Sequence, residues 1–386
     1  MSDRTELPDR RLLILVPSAF MAALAIGLIN LGMLFVLKEA YGASPVIVGW
    51  FAALYSLAYF AGCLGLRPLS TRIRADHSMA LSGILAALAL AFHVLTKGLL
   101  SAFLAYGVVG FSTALFWPRL MGWLTTAIEG AALGRASGAF SVSWSVGASV
   151  APFLAGLMAE RGLFVPVYAA IVVFALTALF ILSAAHLARP PHRESSPKPG
   201  EALDRSTPLR FSAWIGLFLI YAFIAVFLNV FPLYGRDELG LSESSIGLIL
   251  LVRAASMAIG FWIVGRLSFW HFRASMIPLG LIAAALVDLA FLFIRSPLGF
   301  AAGLAAAGLV QAALYGASIF YGASGAPDRD RRVTIHESLL TAGQILGSLI
   351  GAFIYQLVSW QAVFVWIGAA IAVGVAAQVQ LLRRGR

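Results

Sequence analysis

The sequence has little charge, almost no cysteine and no catalytic motif. Only 11% of its 386 residues are charged, whereas soluble proteins carry about 25%. A chain with so few charges and 61% hydrophobic residues lacks the polar surface of a soluble fold, so we expect it to lie in lipid. Cys63 is the single cysteine, so the chain cannot form an internal disulfide. It lies within an apolar run.

The sequence also lacks the motifs that an enzyme or a cofactor-binding domain needs. It has no histidine or cysteine spacing for a metal, no glycine loop for phosphates and no soluble stretch large enough to bind ATP. We therefore expect no enzyme, no cofactor and no metal. The net charge of +10 comes from short basic clusters between apolar runs, which indicates topology signals and not nucleic-acid binding.

What the chain has instead is twelve apolar runs, each close to the roughly 20 residues that a membrane-spanning helix needs. A polar segment from Arg189 to Arg210 divides them six and six, and its five prolines favour an extended, solvated linker. We predict an all-α membrane protein with residues 1–188 as one six-helix bundle, 189–210 as a cytoplasmic linker and 211–386 as a second bundle. The predicted spans are 12–37, 46–66, 78–96, 98–124, 136–158, 163–187, 211–234, 245–266, 275–294, 297–323, 335–358 and 361–382.

The basic residues decide the predicted orientation. An even number of spans places both termini on one side, and that side holds 20 Lys and Arg residues against five on the other. Because positively charged loops stay in the cytoplasm, we predict a multi-pass protein of the cell (inner) membrane with both termini cytoplasmic. We expect a monomer surrounded by lipid.

The two halves repeat each other at an offset of about 198 residues. Asn30 and Gly42 in the first half correspond to Asn229 and Gly240 in the second. The third span begins SMALSGILAALAL and the ninth begins SMIPLGLIAAALV. Six-helix halves of the same polarity predict parallel repeats about an axis along the membrane normal.

The fifth span carries the most specific motif, GASVAPFLAG, in which Gly147, Pro152 and Gly156 form a small-residue face with a proline bend. Together with the twelve spans, this motif resembles the helix-5 pattern of the major facilitator superfamily, and it is typical of exporters. The loop after the second span keeps that family's basic residues but has Leu69 in place of an aspartate. Tyr106 stands where proton-driven drug antiporters have an arginine.

The resemblance implies two six-helix bundles related by a pseudo-twofold axis and a secondary active transporter that works by alternating access. Its substrate would be a small organic solute, amphipathic or anionic, with efflux as the expected direction and protons as the candidate coupling ion. The residues alone leave open a membrane protein without transport, such as a receptor or a lipid-modifying enzyme. The repeat with polar spans in both halves favours transport.

Few ionisable residues lie inside the spans, and each is a candidate because an unpaired charge in lipid is costly. Arg253 and Asp288 lie at similar depth in consecutive spans, which predicts a structural ion pair or a pair that breaks on substrate or proton binding. His336 and Glu337 open the eleventh span, where a helix-start carboxylate would serve a cytoplasmic gate or proton coupling. Arg119 is interpreted as an arginine bonded between helices or as an anchor for an anionic substrate.

Polar stripes at helical spacing run along the fifth, tenth and eleventh spans, and an asparagine interrupts the first and the seventh. In lipid each such face must meet another helix or water, so together they predict a wet cavity with aromatic walls. The proton-coupling or gating candidates are Asp288, His336 and Glu337. The predicted substrate-binding residues are Asn30, Tyr55, Tyr59, Trp117, Arg119, Ser141, Trp144, Asn229, Arg253, Gln311, Tyr315 and Gln344.

Overall fold

The structure is a computed structural model that describes residues 10–66, 72–125, 130–188, 207–267, 269–324 and 329–384. Most of the predicted linker, residues 189–206, lies outside this part. The described residues form helices and turns and no β-strand. Helix is favoured because in lipid each backbone N–H and C=O must be bonded within its own segment. The helices are α1 (Leu12–Phe35), α2 (Pro45–Gly65), α3 (Ala75–Thr96), α4 (Leu99–Thr113), α5 (Trp117–Thr125), α6 (Gly130–Ala159), α7 (Val165–Ala184), α8 (Leu209–Asn229), α9 (Phe231–Asp237), α10 (Glu243–Arg266), α11 (Met276–Phe291), α12 (Pro297–Ala323), α13 (Arg329–Leu357) and α14 (Trp360–Arg384).

Every predicted span corresponds to a helical segment of the described chain. Eleven segments are long and apolar enough to cross a membrane, and α11 is a shorter apolar helix of 16 residues. The fourth and seventh spans are each divided into two helices, α4 with α5 and α8 with α9. Pro118 and Pro232 lie at the start of the second helix of each pair, where a residue without an N–H is tolerated.

The chain packs into two compact units. The first contains Met1–Val36 and Leu57–Glu194, and the second contains Leu37–Ser56 and Ser195–Arg386. A π-helical turn, Val36–Ala40, follows α1. This turn and the first half of α2 therefore pack with the second unit.

In the first unit, α1 packs against α6 and α7, and α3 packs against α4 and α7. Small residues allow the helices to approach closely. A Cβ added to Gly147 of α6 would lie 2.5 Å from the carbonyl oxygen of Phe20 on α1. A Cβ added to Gly32 of α1 would lie 2.6 Å from Pro166 Cβ on α7. These glycines set the distance between the helices, as is usual for helix contacts in membranes.

In the second unit, α10 packs along α12, α13 along α8, and α11 against α14. Gly343 and Gly347 of α13 face the α8 backbone at Phe218 and Ala222, with no space for a Cβ. A cluster of buried aromatic rings fills the unit where α8 and α9 meet α14. Its members are Phe223, Phe227, Phe231, Phe291, Phe300, Trp360 and Phe364.

The sequence repeat is also present in the backbone of two turns. Gly42 and Gly240 have φ of 58° and 61°, in the left-handed region that glycine adopts without steric cost. In each turn the next residue, Ala43 or Leu241, donates its N–H over 2.9 Å to the carbonyl six residues earlier. The two halves therefore use the same local geometry at equivalent positions.

Candidate functional site

The second unit buries a guanidinium that no carboxylate of the described residues neutralises. Arg253, near the middle of α10, is 7% exposed, and its Nη1 donates a 2.7 Å hydrogen bond to Oε1 of Gln311 on α12. Gln311 is itself 3% exposed. Within the described part of the chain, Arg253 forms no ion pair, and its Nε has no hydrogen-bond partner. The site therefore holds a buried positive charge with hydrogen-bonding capacity left over.

Small residues explain how Arg253 reaches its partner. The α10 and α12 backbones approach so closely at Gly308 that an added Cβ would contact the Arg253 carbonyl oxygen. Further along the same contact, a Cβ on Gly260 would lie 2.7 Å from Ala312 Cβ. Gln311 lies between these two points of close approach. The helix crossing therefore brings its amide within bonding distance of the guanidinium.

Aromatic rings surround this pair. The ring centroids of Tyr221 on α8 and Tyr315 on α12 lie 6.2 Å apart, and Phe261 of α10 meets Tyr315 edge-on at 5.3 Å. The Tyr221 hydroxyl lies close enough to interact with both Arg253 and Gln311. Tyr221 is buried and Tyr315 is half-buried. Three helices thus contribute rings to one aromatic group, which adjoins Arg253 and Gln311 through Tyr221.

The helix α13 adds an imidazole and a carboxyl group to the same place. His336 is 3% exposed, with Nδ1 2.8 Å from Ser318 Oγ and its ring edge-on to Tyr315 at 4.8 Å. Its Nε2 has no partner in the described chain. Glu337 is reachable from the surface and lies within electrostatic range of the hydroxyls of Tyr221 and Tyr315. Among the described residues, Glu337 forms no ion pair.

This placement corrects the predicted helix start. The sequence predicts that His336 and Glu337 open their helix, but α13 begins at Arg329. At 1.5 Å per residue, Glu337 lies about 12 Å inside the helix, beyond the first turn in which the helix dipole acts. The apolar part of the span begins only after the charged residues 329–332, so hydropathy places the helix start too late. Arginine is a good helix former and these residues include no proline, so the helix extends through them. The interpretation of Glu337 as a helix-start carboxylate is wrong.

Asp288 does not form the predicted ion pair with Arg253. It is 2% exposed on α11, and a Cβ added to Gly368 of α14 would lie 2.9 Å from its Oδ2. Its Oδ1 has no hydrogen-bond partner in the described residues. The predicted ion pair is wrong because α10 and α11 are neighbours in sequence but not main packing partners: α10 packs along α12, and α11 packs against α14.

A further polar contact joins α8 to α13. Asn229 Nδ2 donates to Ser348 Oγ over 2.9 Å and to the Ala225 carbonyl over 3.1 Å. Gln344 lies one turn before Ser348 on α13 and is half-buried. Part of the polar stripe on the eleventh span therefore holds two helices together.

The predicted residues of the first unit make separate contacts. Tyr106 donates a 2.7 Å hydrogen bond to Asn30 Oδ1, which joins α4 to α1. Arg119 Nη2 donates over 2.7 Å to the carbonyl of Ile73, so its geometry matches an arginine bonded between helices. The Ser141 side chain lies outside the described part of the chain. The half-buried aromatic candidates of this unit are Tyr59, Trp117 and Trp144, whereas Tyr55, which is also half-buried, belongs to the second unit.

Comparison with known proteins identifies the family. The family model described as Major Facilitator Superfamily matches residues 15–328, and it matches again over residues 213–385. The chain belongs to the major facilitator superfamily. No curated protein matches it in sequence.

Solved structures share the fold at low identity. A bacterial homologue of the human lysosomal transporter Spinster, inward-facing and unoccupied, has a TM-score of 0.75 and 15% identity, with 98% of each chain covered. A POT family transporter in complex with a thioalcohol-conjugated peptide has a TM-score of 0.79 and 13% identity, over 97% of this chain and 96% of that one. The nucleoside transporter NupG has a TM-score of 0.75 and 13% identity, over 96% of this chain and 98% of that one. The predicted fold class, an all-α membrane protein with the twelve-helix fold of this superfamily, is confirmed.

In this superfamily member, the motif of the fifth span lies in α6 and faces α1. Gly147 contacts the α1 backbone, and a Cβ on Gly27 of α1 would come against Ala151. Pro152 lies inside α6 without ending it, and Gly156 is buried. The residues of the motif therefore allow α1 and α6 to lie close together, as the sequence suggests.

Sequence reasoning missed Tyr221 and a network of ion pairs. Between Ser212 and Asn229 of the seventh span, Tyr221 is the one residue with a hydroxyl, amide or charged side chain, so no polar stripe at helical spacing marks it. In the network, Lys38 Nζ lies 2.7 Å from Asp237 Oδ2. Arg236 bonds both Glu39 and Glu243 at 3.2 Å. The charges flank the two equivalent glycine turns, which is the signal that could have suggested the pairing.

No group of three metal-binding side chains occurs among the residues that the structure describes. The site offers a guanidinium, a carboxyl group, an amide and phenol rings, which can bind a solute by non-covalent contacts.

Proposed function

We propose that this superfamily member is a secondary active transporter that carries a small organic solute with an anionic group across the cytoplasmic membrane by alternating access. The family supplies the general class, since its solved relatives include transporters. The site in the second unit supplies the chemical preference. We refer to Tyr221, Arg253, Gln311, Tyr315 and Glu337 as the polar cluster.

One observation carries the proposal: the buried guanidinium of Arg253 has an amide partner and, among the residues that the structure describes, no carboxylate partner. Charges inside membrane proteins normally pair with each other or face water, because an isolated buried charge is strongly destabilising. Gln311 offers a neutral acceptor, which holds the side chain in place without cancelling its charge. A carboxylate or phosphate on the solute would form an ion pair with the guanidinium and accept a hydrogen bond from Nε, which has no partner in the described chain.

The neighbouring rings favour an amphipathic solute. Tyr221, Tyr315 and Phe261 form one group of contacting rings that adjoins the Arg253–Gln311 pair through Tyr221, and the two phenols add hydroxyl groups that can orient a ligand. A solute with one anionic end and an apolar body fits this combination.

Efflux and proton coupling are the finer parts of the proposal. The glycine and proline pattern of α6 supports efflux, because it is typical of exporters. Protons are the proposed coupling ion, with Asp288, His336 and Glu337 as candidates. Uptake of a labelled substrate into inside-out vesicles under an imposed pH gradient would test both parts. Transport that does not depend on the pH gradient would refute proton coupling. Accumulation only in right-side-out vesicles would show uptake and refute efflux.

The direct test of the function is flux in proteoliposomes. A panel of radiolabelled organic acids is offered to vesicles that contain the wild type, Arg253→Gln or the control Arg236→Gln. We expect Arg253→Gln to lose at least tenfold in transport of organic acids, and the control, which changes a partly exposed arginine, to keep it. Full transport by Arg253→Gln would remove the proposed anion site. Vesicles that move no solute at all would favour a membrane protein without transport.

The predicted topology is part of the same proposal. A cysteine introduced at Gly42 or Gly240 should react with an impermeant maleimide added outside the cell. One placed at Ser196 should react only after the membrane is opened. External labelling at position 196 would overturn the proposed cytoplasmic linker and termini.

A further inference from the structure

The polar cluster holds two opposite charges that do not neutralise each other. Arg253 on α10 bonds Gln311, which lies one turn before Tyr315 on α12. Glu337 on α13 follows His336, whose ring meets Tyr315 edge-on at 4.8 Å, and Glu337 itself is exposed. Neither Arg253 nor Glu337 forms an ion pair in the described part of the protein.

The helix packing explains why these charges stay apart. The close approach of α10 and α12 at Gly308 directs Arg253 to Gln311. Gly347 of α13 contacts the α8 backbone at Ala222, directly after Tyr221, so the position of α13 on α8 is fixed close to the cluster. The two charges therefore sit on helices whose positions are set by backbone contacts. A bound molecule can bridge them, whereas a shift of either helix would break those contacts.

We propose that the solute is a zwitterion, such as an amino acid or a short peptide, whose carboxylate binds Arg253 and whose ammonium group binds Glu337. The inference rests on the proposed function and names its substrate class. A simple organic anion would satisfy Arg253 but place a second negative charge near Glu337. An organic cation would satisfy Glu337 but leave Arg253 without an anion. Only a molecule with both charges neutralises both residues.

The ring faces fit the remaining part of such a molecule. Tyr315 contacts His336, the residue before Glu337, and its ring lies 6.2 Å from that of Tyr221, so a phenol face is available to attract an ammonium group here. Phe261 contacts Tyr315 and extends the apolar wall along α10. An apolar side chain between the two charged ends would lie against these rings.

The test uses matched probes that differ in one charge. The full chain in lipid nanodiscs is titrated with phenylalanine, 3-phenylpropionate and 2-phenylethylamine, and with alanyl-phenylalanine, its N-acetyl form and its amide. The readout is the rise in unfolding temperature as a function of ligand concentration. We expect at least one of the two zwitterions to bind at least tenfold more tightly than either single-charge analogue. Tenfold corresponds to about 1.4 kcal/mol.

The variants assign each charge to its residue. Glu337→Gln should reduce zwitterion affinity to that of the carboxylate-only analogue and leave that analogue unaffected or improved. Arg253→Gln should reduce zwitterion affinity to that of the amine-only analogue and leave the affinity of that analogue unchanged. Glu238→Gln makes the same chemical change at an exposed site and should alter nothing.

Failure of this inference is separable from failure of the proposed function. If the carboxylate-only analogue binds as well as the zwitterion and depends on Arg253, the zwitterion is refuted and the anion site stands. If Arg253→Gln changes no affinity, the proposed anion site is refuted as well. An unchanged zwitterion preference in Glu337→Gln, or no binding by either zwitterion, also overturns the inference.

Discussion

The amide of Gln311 is the group that keeps Arg253 in place without cancelling its charge, and its replacement by glutamate is the sharpest test of the site. Gln311→Glu would place a carboxylate where Oε1 now lies, 2.7 Å from Nη1. With an effective dielectric constant of about 20 and a charge separation of about 4 Å, the added attraction is about 4 kcal/mol. Burial of the new carboxylate costs several kcal/mol, so the two terms nearly cancel and stability should change by less than about 2 kcal/mol.

Gln311→Glu should weaken anion binding far more than it changes stability. A solute carboxylate would have to compete with an internal partner worth about 4 kcal/mol, which corresponds to roughly a thousandfold loss of affinity. Gln311→Glu is therefore expected to fold normally and to lose transport. Gln311→Leu separates the two effects: it removes an acceptor from a charged donor, which costs about 1.5–3 kcal/mol of stability, but it leaves the charge available to a solute.

The assay measures thermal unfolding in detergent and organic-acid flux in proteoliposomes for the wild type and both variants. We expect Gln311→Glu to be stable and inactive, and Gln311→Leu to be less stable but partly active. Normal flux by Gln311→Glu would show that the charge of Arg253 is not what the solute binds. Strong destabilisation by Gln311→Glu together with full stability of Gln311→Leu would contradict the geometry of the pair.

Three further substitutions test the packing. Asp288→Asn should change stability by less than about 1 kcal/mol in thermal unfolding, because Asp288 has no cation partner in the described structure; a loss of about 3–5 kcal/mol would indicate a broken ion pair after all. Gly347→Ala should cost at least about 1–3 kcal/mol because its Cβ would overlap the α8 backbone, whereas Gly65→Ala, with no atom within 4 Å of the added Cβ, should cost nothing. Lys38→Met should cost under about 1 kcal/mol, since the side chains of Lys38 and Asp237 are 28% and 33% exposed, and a double-mutant cycle with Asp237→Asn should return a coupling energy of that size.

The polar residues of the second unit illustrate where sequence reasoning succeeds. Gln311 and Tyr315 lie at helical spacing on one span, and the structure places them on the same side of α12, against Arg253 and Tyr221. The periodicity of a helix is a local property, so a polar stripe in an apolar run can be recognised before the fold is known. The equivalent turns at Gly42 and Gly240 are of the same kind, because each is encoded by a few adjacent residues.

The partners of each charge could not be predicted in the same way. Arg253 and Asp288 were expected to pair because their spans are consecutive, but the bundle packs α10 on α12 and α11 on α14. Glu337 was expected at a helix start because hydropathy changes there, but the charged run before it continues the helix. Neither composition nor residue spacing contains the information that would have prevented these two errors.

The sequence by itself determined the twelve apolar spans and the short list of polar groups inside them, because lipid penalises each unbonded backbone group and each exposed charge wherever it occurs. The tertiary structure alone decided that Arg253 meets an amide, that Glu337 joins Tyr221 and that Asp288 faces Gly368. Those contacts depend on where helices distant in sequence approach each other. Single glycines such as Gly308 and Gly347 set that approach by the absence of a side chain, and their meaning becomes readable only when the opposing backbone is known.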